Sequence, residues 1–159
     1  MSVAYEVRIV GLAPLLRTVR DPALVARPLR EELDQLSLLA QARAREGAPK
    51  DTGALRRSLL REVRPLGARV YSQLVYAPVM ELGRRPGARM PPPEALRGWA
   101  RRHGFGTSRG ALFVLARAIA RRGIEGRFYL RAAAEAVQQA MPTALARIAA
   151  RISGRWGTP

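Results

Sequence analysis

The segment “LLREVRPLGARVYSQLVYA”, residues 59–77, decides the fold. Two short segments flank Pro65-Leu66-Gly67, a tripeptide typical of turns, and the second segment is rich in β-branched and aromatic side chains. We therefore predict a β-hairpin here. Apolar and polar side chains also alternate over residues 3–9, and this period of two predicts a further, half-buried strand. Together these elements predict a small antiparallel sheet.

Helical patterns lie on both sides of the hairpin. Between residues 22 and 45 apolar side chains recur every three or four positions, which predicts a long helix with Asp21 as its cap and Pro22 at its first position. Shorter helices are predicted over residues 94–102 and around residues 112–119, and a long C-terminal helix contains Pro142 as a point of bending. The apolar stripe of that last helix consists of Ala133, Val137, Met141, Leu145, Ile148 and Ile152.

The predicted fold class is therefore α+β: a small antiparallel β-sheet packed against several α-helices, with long N-terminal and C-terminal helices. A chain of 159 residues is of ordinary size for one domain, so we predict a single domain over residues 1–159.

The chain is strongly basic. It contains 28 Lys and Arg against 12 Asp and Glu, a net charge of +16, and Lys50 is its one lysine. Because the arginine fork pairs bidentately with phosphates and carboxylates, we expect anionic partners. A GC-rich genome would equally explain the choice of arginine over lysine, but it does not explain the shortage of acidic residues.

Composition excludes several classes of site. The absence of cysteine excludes disulfides and thiolate chemistry, and a lone histidine, His103, makes a metal site improbable, so we expect no metal and no cofactor. No apolar run reaches the roughly 18 residues that a bilayer-spanning helix needs, and the N-terminus lacks the pattern of a secretory signal. The sequence predicts a soluble protein without a membrane partner.

The tetrapeptide Asp51-Thr52-Gly53-Ala54 matches the D-T-G-A signature of aspartic proteases. Those enzymes need the aspartate at the end of a buried strand, with a second carboxylate about 3 Å away. Here the preceding residues, “EGAPK”, form a polar linker, and no second D-T-G is present. We therefore predict that Asp51 or Thr52 caps a helical turn, that Gly53 permits close approach, and that the following leucines point inward.

No other pattern indicates an enzyme. His103 lies in a basic loop, where a solitary histidine is usually a surface residue, and the acidic residues are scattered without a paired spacing. Trp99 is interpreted as a core or interface anchor, with a base-stacking platform as the alternative. We expect a protein without catalytic residues.

Three segments in order resemble motifs of a small neck protein family of long-tailed bacteriophages, the gene-product-ten-like tail-completion or head-tail joining proteins. The segments are “APKDTGALRRSL”, “VYSQLVYAPVMELG” and “GRFYLRAAAEA”, and residues 84–126 resemble a helical insertion that many members carry. The matching positions are Pro49, Asp51, Thr52, Gly53, Leu55 and Ser58 in the first; Tyr76, Ala77, Glu81 and Gly83 in the second; and Tyr129, Leu130 and Ala133 in the third. Arg127-Phe128 replaces the usual proline-led start of the third motif.

The resemblance implies a structural virion protein that joins the DNA-filled head to the tail, as a homo-oligomeric ring, for instance a hexamer, around the DNA passage. Its implied partners are other copies of the chain, the head-connector or adaptor protein, and the tail-terminator or tail-tube protein, with nonspecific DNA contact in the lumen. The implied location is the virion, and the host cytoplasm during assembly.

Two side-chain roles are expected alongside this resemblance. Glu81 suits a salt bridge to one of the many arginines, with a solvated helix-end charge as the alternative. The segment “RRPGARMPPP”, residues 84–93, is predicted to be an exposed loop in which Arg84, Arg85 and Arg89 contact a partner or DNA.

A sequence-nonspecific basic DNA-binding protein is the alternative function. The same net charge would drive it, although such proteins usually concentrate their charge in one helix or arm. Rings in electron micrographs would favour the neck protein, whereas tight duplex binding by a small oligomer would favour the alternative.

Overall fold

The computed structural model describes residues 3–8 and 23–156 of the chain. The predicted hairpin is confirmed: strand β2 (Leu60–Arg64) pairs antiparallel with strand β3 (Gly67–Ser72), and Arg64 lies opposite Gly67. Residues 65–66 form the connecting turn. A two-residue turn fixes the register of the whole pair, so the alternate residues of β3 are committed to one face.

Strand β1 (Val3–Arg8) completes the sheet on the other side of β3. It pairs antiparallel, with Val3 opposite Ser72 and Arg8 opposite Gly67, so the strand order is β1-β3-β2. The predicted N-terminal strand is confirmed as far as Arg8, and Ile9 lies outside the described residues. As the central strand, β3 buries Ala68, Val70 and Ser72 on one face.

Two long helices pack against each other and against this sheet. Helix α1 (Ala23–Gly47) has 25 residues and helix α6 (Tyr129–Trp156) has 28. Leu29 and Leu33 of α1 pack on Ala68 of β3, while Leu36 packs on Val137 and Ala144 of α6. The predicted fold class is thereby confirmed. The residues proposed to begin α1, Asp21 and Pro22, lie outside the described residues.

The apolar stripe of α6 differs from the prediction at one position. Leu145 is 46% exposed, whereas Ala144 is completely buried, so the prediction that Leu145 faces the core is wrong. Seven residues make almost two full turns of a helix, which places Ala144, and not Leu145, above the buried Val137. Ala144 belongs to the same buried cluster as Leu36 of α1.

The chain divides into two compact units. The core unit contains the described residues up to Ala77 and those from Phe128 onward, and the inserted unit contains residues 78–127. The inserted unit includes the predicted insertion of residues 84–126 but begins and ends slightly outside it. That residues 1–159 form a single domain stays a prediction.

Short helices form part of both units. In the core unit, helix α2 (Ala54–Arg57) precedes the hairpin. Helix α3 (Ala77–Leu82) begins at the last residue before the inserted unit and continues into it. The inserted unit continues with a 3₁₀ turn (Pro93–Leu96), helix α4 (Arg97–Arg102) and helix α5 (Arg109–Arg122). The helix predicted over residues 94–102 therefore begins as a 3₁₀ turn, and Gly123 ends α5 as predicted.

Candidate functional site

The first motif forms the turn that leads into the hairpin. Gly53 precedes α2 with φ 73°, a left-handed conformation that favours glycine, and the Thr52 hydroxyl accepts a hydrogen bond from the Ala54 amide at 3.3 Å. The cap position itself belongs to Gly53, which corrects the prediction of Asp51 or Thr52 there. Leu55 and Leu59 are buried, as predicted, and Pro49 is half-buried.

Ser58 of the first motif links this turn to the central strand. Its hydroxyl donates to the Leu55 carbonyl at 2.8 Å and lies 2.8 Å from the hydroxyl of Ser72, which is fully buried. The Ser72 hydroxyl accepts from the Leu74 amide at 3.2 Å. The two hydroxyls, the Leu55 carbonyl and the Leu74 amide thus form one chain of hydrogen bonds between the turn and the central strand.

Asp51 is exposed in this turn, and within the described ranges no three His, Cys, Asp or Glu side chains are grouped as a metal site would require. A protease dyad needs its aspartate buried beside a second carboxylate, and the exposed position of Asp51 does not meet that requirement. We expect purified Asp51→Asn protein and the wild type to show the same background level of casein hydrolysis, with or without pepstatin. Pepstatin-sensitive hydrolysis that Asp51→Asn abolishes would contradict this.

The second and third motifs meet in the core unit. The hydroxyl of Tyr129, a completely buried residue at the start of α6, donates to the Ala77 carbonyl at 3.3 Å across 52 residues of sequence. Ala77 and Leu130 are also buried, whereas Tyr76 is 44% exposed. A Cβ atom on Gly47, at the end of α1, would lie 3.2 Å from the Tyr129 Cβ, so α1 and α6 meet closely at this point.

Glu81 is completely buried and engaged with other residues, which contradicts its interpretation as a solvated charge. A buried carboxylate is stable only when its oxygens are paired. Glu81 is therefore a structural residue of the inserted unit in this fold.

The first and last segments of the inserted unit contact each other closely at glycines, where residues 80–87 run beside residues 120–127. The Arg84 amide donates to the Ile124 carbonyl at 2.7 Å, and the Ile124 amide donates back at 2.9 Å. Gly83 has φ 76°, and a Cβ there would lie 2.6 Å from both the Gly126 nitrogen and the Ile124 oxygen. A Cβ on Gly126 would likewise lie 2.8 Å from the backbone carbonyl oxygen of Glu81. We call this close-packed pair of segments the glycine clasp.

The three arginines of the predicted contact loop lie in different environments. Arg84 is half-buried, takes part in the clasp, and its Nε is buried without a hydrogen-bond partner among the described residues. Arg85 and Arg89 are exposed. The Gly87 amide also donates to the Ala120 carbonyl at 2.8 Å, so the middle of the loop is anchored. Of the three, Arg85 and Arg89 therefore retain the exposure that contact with a partner requires.

No family model, curated protein or solved structure matches this chain. Over residues 3–8 and 23–156, no helix is long and apolar enough to cross a membrane.

The inserted unit has a concentration of charge that the sequence patterns did not reveal. Residues 78–127 contain eleven arginines and three glutamates, a net +8 in 50 residues, whereas the other 109 residues carry the same net charge with seventeen cations and nine acids. This difference in charge density is a property of the sequence, but it depends on the bounds of the inserted unit, which the sequence patterns do not give. The cations are thus denser here than elsewhere in the chain.

Aromatic side chains are exposed in the same unit. Trp99 is 37% exposed and stacks on His103, with ring centroids 4.3 Å apart, and on Phe105, at 5.3 Å. Trp99 is therefore not a core residue. Its faces are engaged by the neighbouring rings, which leaves less of its surface for stacking on a nucleobase.

Proposed function

We propose that this protein is a structural component of the neck of a long-tailed bacteriophage, where copies of the chain form a ring around the DNA passage between head and tail. One observation carries the proposal: several of the motif residues that resemble that family, among them Ala77, Tyr129 and Leu130, are buried and hold the fold together. Tyr129 of the third motif bonds to Ala77 of the second, and Ser58 of the first bonds to the central strand. Motifs that serve the scaffold fit a structural protein better than an enzyme.

The distribution of ion pairs supports an anionic partner. In the core unit, Glu31, Glu32, Asp34, Glu46 and Glu62 all pair with arginines of the same chain. The inserted unit has too few acids to neutralise its arginines. Contacts of arginine with the phosphate backbone are independent of sequence, which suits a lumen through which any DNA must pass.

The second candidate is a sequence-nonspecific basic DNA-binding protein, favoured by the charge density of residues 78–127. The two differ in assembly state. A neck protein forms closed rings with or without DNA, whereas the alternative is a small oligomer that binds duplex with an affinity falling steeply with salt.

Light scattering and negative-stain electron microscopy of the purified chain test the proposal. We expect closed rings, together with weak duplex binding that about 0.2 M salt abolishes. A monomer or dimer that binds duplex tightly, and forms no ring at any concentration, would instead establish the alternative.

The loop gives a further prediction for the neck function. We expect Arg85→Ser with Arg89→Ser to leave thermal stability unchanged, because both side chains are exposed, and to reduce head-tail joining in a complementation assay at least tenfold. Arg30→Ser with Arg57→Ser, which removes the same charge from exposed positions of the core unit, is the matched control. Joining that is equally efficient in both double variants would show that the loop is a connector only.

A further inference from the structure

Helix α5 presents one face to the core of the inserted unit and a charged row to solvent. Leu112 and Ala116 are completely buried, and Ser108 caps the helix by accepting from the Ala111 amide at 3.3 Å. On the opposite side four exposed residues follow each other at steps of four: Arg109, Phe113, Arg117 and Arg121. At 1.5 Å per residue this outer row is about 18 Å long.

Apolar surface is interleaved with these cations. Phe113 is 46% exposed and its neighbour Val114 is 66% exposed. Beside the start of the row, a cleft of about 550 Å³ is lined by Pro93, Glu94, Arg109, Gly110 and Phe113. A cleft of this size accommodates one or two apolar side chains of a partner next to Phe113.

The cations of the row are not neutralised within the inserted unit. Helix α5 contains no acidic residue. Of the three glutamates of the unit, Glu81 is buried, Glu94 pairs with Arg97 at 2.7 Å, and Glu125 is a single exposed carboxylate beyond the end of α5, too few to neutralise three arginines. Arg109 also occupies the first turn of α5, where the helix dipole disfavours a cation. A carboxylate bound there would gain from both the guanidinium and the helix N-terminus, so the row is better suited to a bound anion than to isolation.

We infer that the outer face of α5 is a docking surface for an acidic, amphipathic segment of another protein. The carboxylates of the segment pair with Arg109, Arg117 and Arg121, and an apolar side chain enters the cleft beside Phe113. Arginine combined with exposed aromatic surface is typical of the centres of protein interfaces. The inference is independent of the proposed neck function, because it uses only contacts within residues 78–127.

Two other occupants fit the surface less well. A second copy of this face would bring two arginine rows together, which is electrostatically unfavourable for a chain of net charge +16. Duplex DNA would satisfy the arginines, but it would set phosphates and water against Phe113 and Val114 and leave the cleft unused. An acidic protein segment uses the charges, the apolar side chains and the cleft together.

Fluorescence anisotropy with the full chain tests the inference. The probe is a labelled 18-residue helical peptide with glutamates at steps of four and leucines between them; the comparison probes are the same peptide with serine for leucine, and a 20-base-pair duplex. We expect the leucine peptide to bind at least tenfold more tightly than the serine peptide and, at about 0.15 M salt, more tightly than the duplex.

Variants locate the binding. Arg109→Ser, Arg117→Ser and Arg121→Ser together should weaken the leucine peptide about thirtyfold or more, and Phe113→Ser alone about tenfold. The charge-matched control, Arg30→Ser, Arg57→Ser and Arg127→Ser, should change its affinity less than threefold. Circular dichroism melts confirm that each variant is folded, which the exposure of all these side chains predicts.

Two results would overturn the inference. One is equal loss of peptide binding in the two triple variants, which would show that net charge alone attracts the peptide. The other is tighter binding of duplex than of the leucine peptide, sensitive to the α5 arginines and insensitive to Phe113→Ser, which would identify the face as a DNA contact. Ring formation is measured separately on the same samples, so the fate of the neck proposal does not decide this one.

Discussion

Gly83→Ala is expected to lower the free energy of unfolding by about 2 to 5 kcal/mol. Two effects add at this position. The left-handed φ of 76° is unfavourable for any residue with a Cβ, and the added Cβ would lie 2.6 Å from backbone atoms of both Ile124 and Gly126. Backbone on both sides cannot move away as the end of a flexible side chain can, so the glycine clasp must open. Urea denaturation of the purified protein measures the loss.

Gly87→Ala is the matched control for this substitution. Gly87 has almost the same φ, 78°, but nothing lies within 4 Å of the Cβ that alanine would add. The decrease in the free energy of unfolding in Gly87→Ala should therefore be limited to the cost of the left-handed conformation, about 1 to 2 kcal/mol. Hydrogen exchange of the Arg84 and Ile124 amides should accelerate in Gly83→Ala more than in Gly87→Ala. Equal losses in the two variants would show that contact across the clasp contributes nothing.

The clasp illustrates what a single sequence can and cannot predict. Gly83 was singled out by its place in a motif, but nothing in the local pattern pointed to Gly126, 43 positions later, as the backbone it approaches. Hairpin, strand and helices were predictable because each is specified by a periodicity of neighbouring residues. Contacts between distant segments have no such periodicity.

Charge and burial show the same division. The pattern of α6 predicted the buried Ala133 and Val137 correctly, yet it selected Leu145 over Ala144, because hydrophobicity alone does not register how closely two helices approach. The sequence predicts that the loop carries cations. It does not predict that Arg84 is half-buried in the fold while Arg85 is exposed. The exposed row on α5 depends on where that helix begins and ends and on which of its faces is buried, and the sequence alone does not give either.

An ion-pair network between the two long helices was not predicted at all. Glu32 of α1 is 2% exposed, and Arg147 of α6 donates to its two oxygens at distances from 2.8 to 3.1 Å across 115 residues of sequence. Arg151 lies 3.5 Å from the same carboxylate and 2.7 Å from that of Glu31. The hydrogen bonds from Arg147 lower the pKa of Glu32, against the opposing effect of burial, and the charges of both arginines add to the lowering.

Removal of Arg147 should therefore be strongly destabilising. In Arg147→Met the aliphatic part of the side chain is retained, while the buried carboxylate of Glu32 loses its bidentate partner. Among the described residues, the more distant Arg151 is the cation that remains beside it. We expect the Tm at pH 7 to fall by roughly 5 °C or more. Arg27→Met is the control, because Arg27 forms an exposed pair with Glu31 one turn away on the same helix, and pairs of this kind contribute little. Calorimetric melts of both variants and the wild type measure the difference.

The pH dependence separates loss of the ion pair from loss of packing. Because the pKa of Glu32 is lower in the folded protein than in the unfolded chain, its contribution is fully present above the unfolded value of about 4.3 and is lost as the pH falls through the folded value. In Arg147→Met the lowering of the Glu32 pKa is largely removed. At low pH the Glu32 carboxyl of the variant is protonated, so the fold no longer buries an unpaired charge. The difference in Tm between wild type and variant should therefore be largest near pH 7 and should narrow below about pH 4. A difference that stays constant from pH 7 to pH 3 would show that Arg147 stabilises the helix pair through packing alone.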